Sequence, residues 1–194
     1  MKRVLTVAAL CLALAACFKS ERLLLDLGMA AHPVAEGDWT AGDGTDLQFS
    51  LAIKGDHYVR TEGDSKYDVV LAPLSGHPDT FIAAEAPENC TGDDATPQCN
   101  WEYAIVIVGK DGTWKQFAPD CKTEWEGMDK DVAKREDDGE TCWFDDAAGL
   151  QHALGIAADR GGATVQEFHR PGATATQMAV PDAPVPEDPA PEQQ

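Results

Sequence analysis

Alternating apolar and polar positions dominate the middle of the chain. In Asp46–Ile53 the apolar residues Leu47, Phe49, Leu51 and Ile53 occupy every second position. This alternation predicts a strand with one buried face. Further strands, each bounded by turn-forming residues, are predicted at His57–Glu62, Tyr67–Leu74, Thr80–Ala86, Trp101–Val108, Thr113–Ala118 and Ala163–His169.

The strand pattern also defines the expected fold class. Trp101–Val108 is apolar on both of its faces, which favours a central strand that is covered on both sides. The turn signals at residues 54–56 and 109–112 connect neighbouring strands as hairpins. We therefore expect a mainly β (α+β) fold, either an antiparallel β-sandwich or a small open barrel, with one or two short helices near the C-terminal end.

Two helical patterns follow the central strands. Thr123 and Glu126 have the spacing of a capping box. Behind them, Trp125, Met128 and Val132 recur at helical spacing and predict a first helix. A second helix is expected to begin at Asp145 or Asp146, with an apolar stripe at Leu150, Ala153, Leu154 and Ala157.

The N-terminus has the three parts of a secretory signal peptide. Lys2 and Arg3 precede the apolar run Val4–Ala16, which ends in small residues directly before Cys17. A membrane-spanning helix needs about 20 apolar residues, so this run is too short to be one. We therefore expect residues 1–16 to be a cleaved signal and the protein to be exported.

Cysteine positions predict two disulfide bonds. Of six cysteines, Cys11 lies in the signal, and the five that remain leave one thiol unexplained in an exported protein. Cys90 and Cys99 flank a short loop between two predicted strands, while Cys121 and Cys142 bracket the first predicted helix. We predict the pairs Cys90–Cys99 and Cys121–Cys142 in an oxidising compartment, although four cysteines allow three connectivities.

The segment Leu14-Ala15-Ala16-Cys17 resembles the lipobox of bacterial lipoproteins. The rest of the chain resembles small Gram-negative lipoproteins without an assigned activity, through the segments His57–Val59, Val70–Leu74, Trp101–Val108, Phe117–Cys121 and Cys142. This resemblance implies cleavage before Cys17, a thioether-linked lipid on its sulfur and fatty acylation (palmitate) of its amine. Lipidation also accounts for the fifth cysteine. Because residue 18 is Phe and not Asp, analogy implies the periplasmic face of the outer membrane.

With this anchor, the chain divides into four expected parts. Residues 1–16 are the lipoprotein signal peptide and residues 17–37 a lipidated tether. Residues 38–170 form a single globular β-rich domain, which is long enough for one hydrophobic core. Residues 171–194 are rich in Pro, Ala and acidic residues without an apolar period, and we expect them to be disordered.

The strong negative charge limits the classes of partner. The net charge of the sequence is -19, and cleavage of the signal removes the positive charges of Lys2 and Arg3. Such a chain repels nucleic acid and anionic headgroups. We expect no nucleic-acid partner, and membrane attachment only through the lipid on Cys17. The acidic excess is typical of a solvated surface. The more specific alternative is a binding surface for a basic partner or a divalent cation.

The sequence contains no clear catalytic, cofactor-binding or metal-binding motif. Asp129–Glu140 has acidic residues at some calcium-loop positions, but Lys134 stands where that loop needs glycine. Neither a HExxH pair, a GxSxG turn nor a glycine-rich phosphate loop is present. We therefore predict no catalytic residues, no cofactor and no metal. Tyr58 and Trp114, on predicted strand faces, are the candidate lining of a ligand groove.

Two functions from different classes are consistent with these features. The first is a lipid-anchored binding or structural accessory module on the periplasmic side of the envelope, with an envelope protein or peptidoglycan as its partner. The second is a lipid-anchored hydrolase that acts on envelope polymers. Clustered carboxylates or a Ser/His constellation in a cleft would favour the hydrolase. A smooth β domain with one exposed aromatic or acidic patch would favour the binding module, which we prefer.

Overall fold

The protein folds as a mainly β domain with short helices near its C-terminal end, as predicted. The computed structural model describes residues 18–42, 47–91, 99–128, 131, 133–137, 139–161 and 164–171. Within these ranges the strands are β1 (Phe18–Ser20), β2 (Gly37–Ala41), β3 (Gln48–Lys54), β4 (His57–Glu62), β5 (Ser65–Pro73), β6 (Thr80–Pro87), β7 (Trp101–Val108), β8 (Trp114–Ala118), β9 (Ala133–Arg135), β10 (Cys142–Phe144) and β11 (Thr164–His169). The helices are α1 (Cys121–Glu124) and α2 (Ala147–Arg160), with 3-10 turns at Leu27–Met29 and Trp125–Gly127.

Eight of these strands close into an antiparallel barrel. The hydrogen-bonded order is β2-β3-β4-β5-β6-β7-β8-β11, and β11 pairs back onto β2. Strands that follow one another in the chain are neighbours in the barrel, except that the chain leaves the wall between β8 and β11 to form α1, β9, β10 and α2. The small barrel is thus confirmed, but it is closed and not open as we expected, because β11 pairs with β2. This topology does not support the sandwich alternative.

Strand β7 has two different neighbours on one edge. Its C-terminal half, Ile105–Val108, pairs with β8, whereas its N-terminal end pairs with β1, where Ser20 lies opposite Trp101. β1 pairs in parallel with β10, where Phe18 lies opposite Cys142, and β10 pairs with β9. The barrel wall therefore continues, at the N-terminal end of β7, into a three-stranded extension of β1, β10 and β9.

Two apolar cores lie on opposite faces of the barrel wall. Because successive side chains of a strand point to opposite faces, Val69 belongs to one core and Val70 to the other. Members of the inner core come from every strand of the ring, so this core fills the barrel interior; they include Trp39, Phe49, Tyr58, Leu71, Ala83, Val106, Trp114 and Phe168. The outer core lies between the wall and α2, and includes Phe18, Ile82, Tyr103, Phe117, Phe144, Leu150 and Leu154.

Helix α2 covers the outer core as the sequence predicted. The side chain of Asp146 accepts a hydrogen bond from the backbone N–H of Gly149, which caps the helix at its N-terminus. Gly161 ends the helix in a left-handed conformation with φ of 81°, which glycine adopts without strain. The four residues of the predicted stripe, Leu150, Ala153, Leu154 and Ala157, are all buried.

Helix α1 begins before Thr123, the cap that the sequence pattern indicated, and it is shorter than predicted. Asp120 is its N-cap and accepts a hydrogen bond from the backbone N–H of Lys122, while the Thr123 hydroxyl also donates to Asp120. The helix ends at Glu124, and the chain soon returns to pair as β9 with β10. Strand pairing therefore overrides the local helical pattern. Val132, part of that pattern, lies outside the described residues.

Residues 18–36, which we expected to belong to a tether, pack against the barrel. Phe18 is 0% exposed, and Leu24 and Leu25 are buried in the outer core. Val34 enters the inner core, next to the hydroxyl of Tyr58. The reason is burial of the leucine run, since each buried leucine contributes about 1.5–3 kcal/mol relative to an exposed one. Residues 18–36 are therefore part of the folded body.

Both predicted disulfides are present. Cys90–Cys99 closes the loop between β6 and β7, and Cys121–Cys142 joins the first residue of α1 to β10. All four cysteines belong to the outer core. The second bond therefore holds the extension, including the strand that pairs with β1, against the rest of the domain.

Candidate functional site

A row of polar side chains crosses the inner face of the barrel near the start of β7. Directly paired residues of neighbouring strands share a face. Val69 of the inner core lies opposite Glu85, Glu85 lies opposite Glu102, and Glu102 lies opposite Lys19. The inner face thus changes from apolar to charged along one row. We call this end of the interior the barrel mouth, formed by Lys19, Arg60, Glu62, Tyr67, Glu85 and Glu102.

Arg60 is the central side chain of the barrel mouth. It is only 6% exposed. Its Nη2 donates a hydrogen bond to Oε1 of Glu85 at 2.6 Å and lies 3.5 Å from Oε2 of Glu62. The guanidinium carbon lies 4.9 Å from the ring centroid of Tyr67 and 5.6 Å from that of Phe49. The aromatic faces therefore hold the cation in place through cation–π contact.

Glu85 titrates close to neutral pH. Burial raises its pKa from 4.5 to about 7, and this effect outweighs the lowering by the Arg60 guanidinium, while Glu102 and Glu62 raise it further. Nε of Arg60 is buried and has no hydrogen-bond partner among the described residues. An unsatisfied buried donor costs free energy, so its presence calls for an explanation. Together these features define a site whose charge a proton or a ligand can change.

Carboxyl groups outnumber cations in the barrel mouth. Lys19 Nζ lies 3.0 Å from Oε1 of Glu102, so this pair is balanced. The remaining contacts place Arg60 against both Glu85 and Glu62. With Glu85 ionised, the five charged side chains of the mouth sum to one negative charge, and with Glu85 protonated they sum to zero. An added cation would therefore be attracted and would favour the ionised form of Glu85.

The interior next to the barrel mouth is filled by packed aromatic side chains. Tyr58 is 0% exposed, its hydroxyl donates to the carbonyl of Val34 at 2.7 Å, and burial raises its pKa. Trp114 is 2% exposed and meets Trp39 and Phe49 edge-on, with ring centroids 6.0 and 5.4 Å away. Tyr58 and Trp114, our candidate groove lining, are core residues here. Closure of the ring turns both side chains inward, so neither lines an open groove.

A second polar cluster lies on the outer face of the wall, beside the Cys90–Cys99 disulfide. Asp68 is 0% exposed, and its Oδ2 accepts hydrogen bonds from the backbone N–H groups of Cys90 and Thr91 and from the Thr91 hydroxyl. His57 lies 3.3 Å from the Thr91 hydroxyl through Nε2, and 3.0 Å from Asp56 through Nδ1. The hydrogen bond to His57 lowers the pKa of Asp56.

This cluster has the order of groups found in nucleophilic hydrolases, which is a hydroxyl, an imidazole and a carboxylate. Its hydrogen bonds indicate a different role. The Thr91 hydroxyl donates to Asp68, and His57 is only 7% exposed. Asp68 instead collects three donors from the start of the β6–β7 loop. The cluster therefore anchors that loop to the barrel wall.

Arg60 and Glu85 were not among the residues that the sequence indicated. A signal for both exists in the strand alternation. Arg60 stands two residues after Tyr58 on β4, and Glu85 stands two residues after Ala83 on β6, so each occupies the apolar phase of its strand. A charged residue in that phase must lie inside the barrel or at its end.

Three further features concern the anchor, membrane-spanning helices and metal ligands. Cys17 lies outside the described residues, so its lipidation stays a prediction. In the part of the chain that the structure describes, no helix is long and apolar enough to cross a membrane. Over the same residues, no group of three or more His, Cys, Asp or Glu side chains is arranged to hold a metal ion.

Comparison of the chain with protein-family models, curated proteins and solved structures found no match.

Proposed function

We propose that this protein is a lipid-anchored binding module on the periplasmic side of the outer membrane, and that the barrel mouth holds its ligand. The observation that supports this is the Arg60–Glu85 pair in the barrel interior, with the pKa of Glu85 at about 7. Strongly perturbed carboxyl groups concentrate at functional sites. The core fills the interior of this barrel, so the ligand would bind at the mouth, a place where barrels commonly bind ligands.

The charge balance of the mouth favours a ligand that carries an amine. An ammonium group near Glu85 and Glu62 neutralises the excess carboxylate. It also lowers the pKa of Glu85, so binding near neutral pH releases the proton of that carboxyl group. Amines of this kind occur on peptidoglycan peptides and on small polyamine solutes. The acidic composition suggested a basic partner, and the barrel mouth makes an amine the specific group that we propose it binds.

Calorimetric titration of the mature chain tests this function. The probes are a peptidoglycan-derived peptide with a free side-chain amine, its N-acetylated counterpart, and the diamine cadaverine. We expect the free amine to bind with release of about half a proton at pH 7, measured in buffers of different ionisation enthalpy. The N-acetylated peptide should not bind. A response to the peptide alone would identify peptidoglycan as the source, and a response to cadaverine alone would identify a solute.

Two matched variants separate the mouth from the acidic surface. Glu85→Gln should abolish the proton release and weaken amine binding, whereas Glu126→Gln, at an exposed position, should change neither. If both variants weaken binding equally, the amine is attracted by the general negative charge. If Glu85→Gln binds as tightly as the wild type, with the same proton release, the mouth is not the site.

A second candidate function is hydrolysis of envelope polymers. The observation that favours it is the cross-strand pairing of Glu85, with its pKa of about 7, and Glu102. A carboxylic acid that is protonated near neutral pH beside a second carboxyl group is the arrangement of many glycoside hydrolases. Release of reducing ends from purified peptidoglycan, lost in both Glu85→Gln and Glu102→Gln, would support this function. Amine binding without such release supports the binding module.

A further inference from the structure

Phe18, the residue that follows Cys17, is fixed in the sheet. Its side chain is 0% exposed, and its ring centroid lies 4.9 Å from that of Phe144. Its backbone pairs with Cys142, which is itself bonded to Cys121. Consecutive Cα atoms of a chain are about 3.8 Å apart. A lipid on Cys17 would therefore be attached within one residue of the folded body, without a spacer.

The extension next to this point presents a face that differs from the rest of the acidic surface. Lys19 on β1 pairs with Trp143 on β10, and Trp143 pairs with Lys134 on β9, so the three share one face. Phe18 and Cys142, which alternate with them, are buried on the opposite face. Tryptophan and lysine are the side chains that favour the headgroup level of a bilayer. We call the Lys19/Trp143/Lys134 row the interface row.

Most charges around the interface row are paired. Lys134 Nζ lies 2.8 Å from Oδ2 of Asp145, and Lys19 is paired with Glu102 at 3.0 Å. Beside Trp143 lies a shallow groove of about 270 Å³. The charged side chains on and around this face are Lys19, Arg22 and Lys134 against Glu21, Glu102, Glu136 and Asp145, whereas Arg135 pairs with Cys142 on the opposite face. In a chain of net charge -19, a face on which lysines accompany the carboxylates is a suitable one to approach the headgroup layer.

We infer that the interface row lies against the headgroup layer of the phospholipid bilayer that holds the lipid of Cys17. The inference rests on the proposed lipidation of Cys17, because the short connection to Phe18 is what holds this face at the membrane. Trp143 would then sit at headgroup depth. Since Lys19 pairs with Glu102, the barrel mouth would be held close to the membrane surface in one orientation.

Lipid quenching of tryptophan fluorescence tests this contact. The full lipidated chain is reconstituted into phosphatidylcholine vesicles that contain brominated lipid. Trp39, Trp101 and Trp114 are at most 2% exposed, which leaves Trp125 and Trp143 as the partly exposed tryptophans. We expect brominated lipid to quench part of the emission, and Trp143→Phe to remove that quenched part. Trp125→Phe should retain it. Absence of quenching, or quenching that survives Trp143→Phe, would overturn the inference.

A spacer variant tests the cause of the contact. A flexible Gly/Ser segment of about 12 residues is inserted between Cys17 and Phe18, and the same segment is inserted after Pro171 as the matched control. Quenching of Trp143 should be lost in the first variant and kept in the second, while both sediment with vesicles. Unchanged quenching in the first variant would contradict the role of the short connection.

Mass spectrometry of Cys17 separates this inference from the proposed function. If Cys17 carries lipid and the protein sediments with vesicles but Trp143 is not quenched, lipid anchoring stands and the orientation is wrong. If Cys17 carries no lipid, both are wrong.

Discussion

Arg60 and Glu85 form a 2.6 Å ion pair between two barrel strands that are not neighbours. Arg60 is on β4 and Glu85 on β6, and β5 lies between them. The guanidinium bridges this strand over the ring of Tyr67, which β5 contributes. The pair therefore ties three strands together on the inner face of the barrel, at the end where the interior becomes polar.

The raised pKa of Glu85 predicts that this group lowers the stability of the fold as pH rises. Its pKa is about 7 in the folded protein against 4.5 ordinarily, so the folded state holds the proton more tightly. The corresponding stability is present below pH 4.5 and is lost as pH rises to about 7, by roughly 3 kcal/mol at most. Denaturant unfolding gives the free energy of unfolding of wild type and Glu85→Gln at each pH across this range, and the difference between the two proteins isolates the effect of Glu85. A difference that does not change with pH would contradict the prediction.

Removal of Arg60 is expected to destabilise the fold and to raise the pKa of Glu85 further, because the guanidinium is what lowers that pKa. Breaking a buried pair from one side typically costs about 3–5 kcal/mol, since the other charge is left without a partner. Arg60→Met should therefore lower the free energy of unfolding at pH 8, by less than that amount, because the raised pKa lets Glu85 take up a proton. The double variant Arg60→Met/Glu85→Gln should recover part of the loss. A single variant as stable as wild type would show that the pair is energetically neutral.

The two disulfides are expected to contribute unequally. Their sequence separations are 21 residues for Cys121–Cys142 and 9 for Cys90–Cys99. Each should contribute roughly 2–4 kcal/mol, with more from the longer loop. Cys121–Cys142 also holds β10, the partner of Phe18. Thermal melting of the two double alanine variants measures both effects. A larger loss for Cys90→Ala/Cys99→Ala would contradict this order.

The alternation of apolar and polar residues was sufficient to predict most barrel strands. His57–Glu62 and Trp101–Val108 were predicted with the observed bounds. Closure of the ring was not predictable in this way, because it depends on the pairing of β2 with β11, far apart in sequence. β1 has only three residues, and its stability comes from its partners β7 and β10 and not from local pattern. Contacts of this kind are not visible in local sequence.

The candidate site was likewise only partly predictable from the sequence. Tyr58 and Trp114 were chosen because aromatic residues on strand faces often line grooves, but a closed ring places them in its core. Arg60 and Glu85 stand at strand positions that alternate with the outward-facing ones and share the inner face with apolar residues, so an inward position could be predicted for both. Their contact across β5 depends on the register of three strands, which the sequence does not reveal.

Anchoring through Cys17 is expected to be the sole means of membrane attachment. Cys17→Ser should move the protein from the outer-membrane fraction to the soluble periplasmic fraction, because the acidic chain has little affinity of its own for anionic lipid. Cell fractionation with a high-salt wash measures this. A variant that remains with the outer membrane after the wash would show that another part of the chain binds it.

The most direct test of the binding site is a carbon-13 NMR titration of the Glu85 side-chain carboxyl group with and without the amine-bearing peptide. We predict an apparent pKa of about 7 for the free protein. The peptide should lower that pKa, because its ammonium group stabilises the ionised carboxylate, and its N-acetylated form should leave it unchanged. A Glu85 resonance that titrates near pH 4.5 in the free protein, or one that the amine does not shift, would contradict the assignment of the barrel mouth as the ligand site.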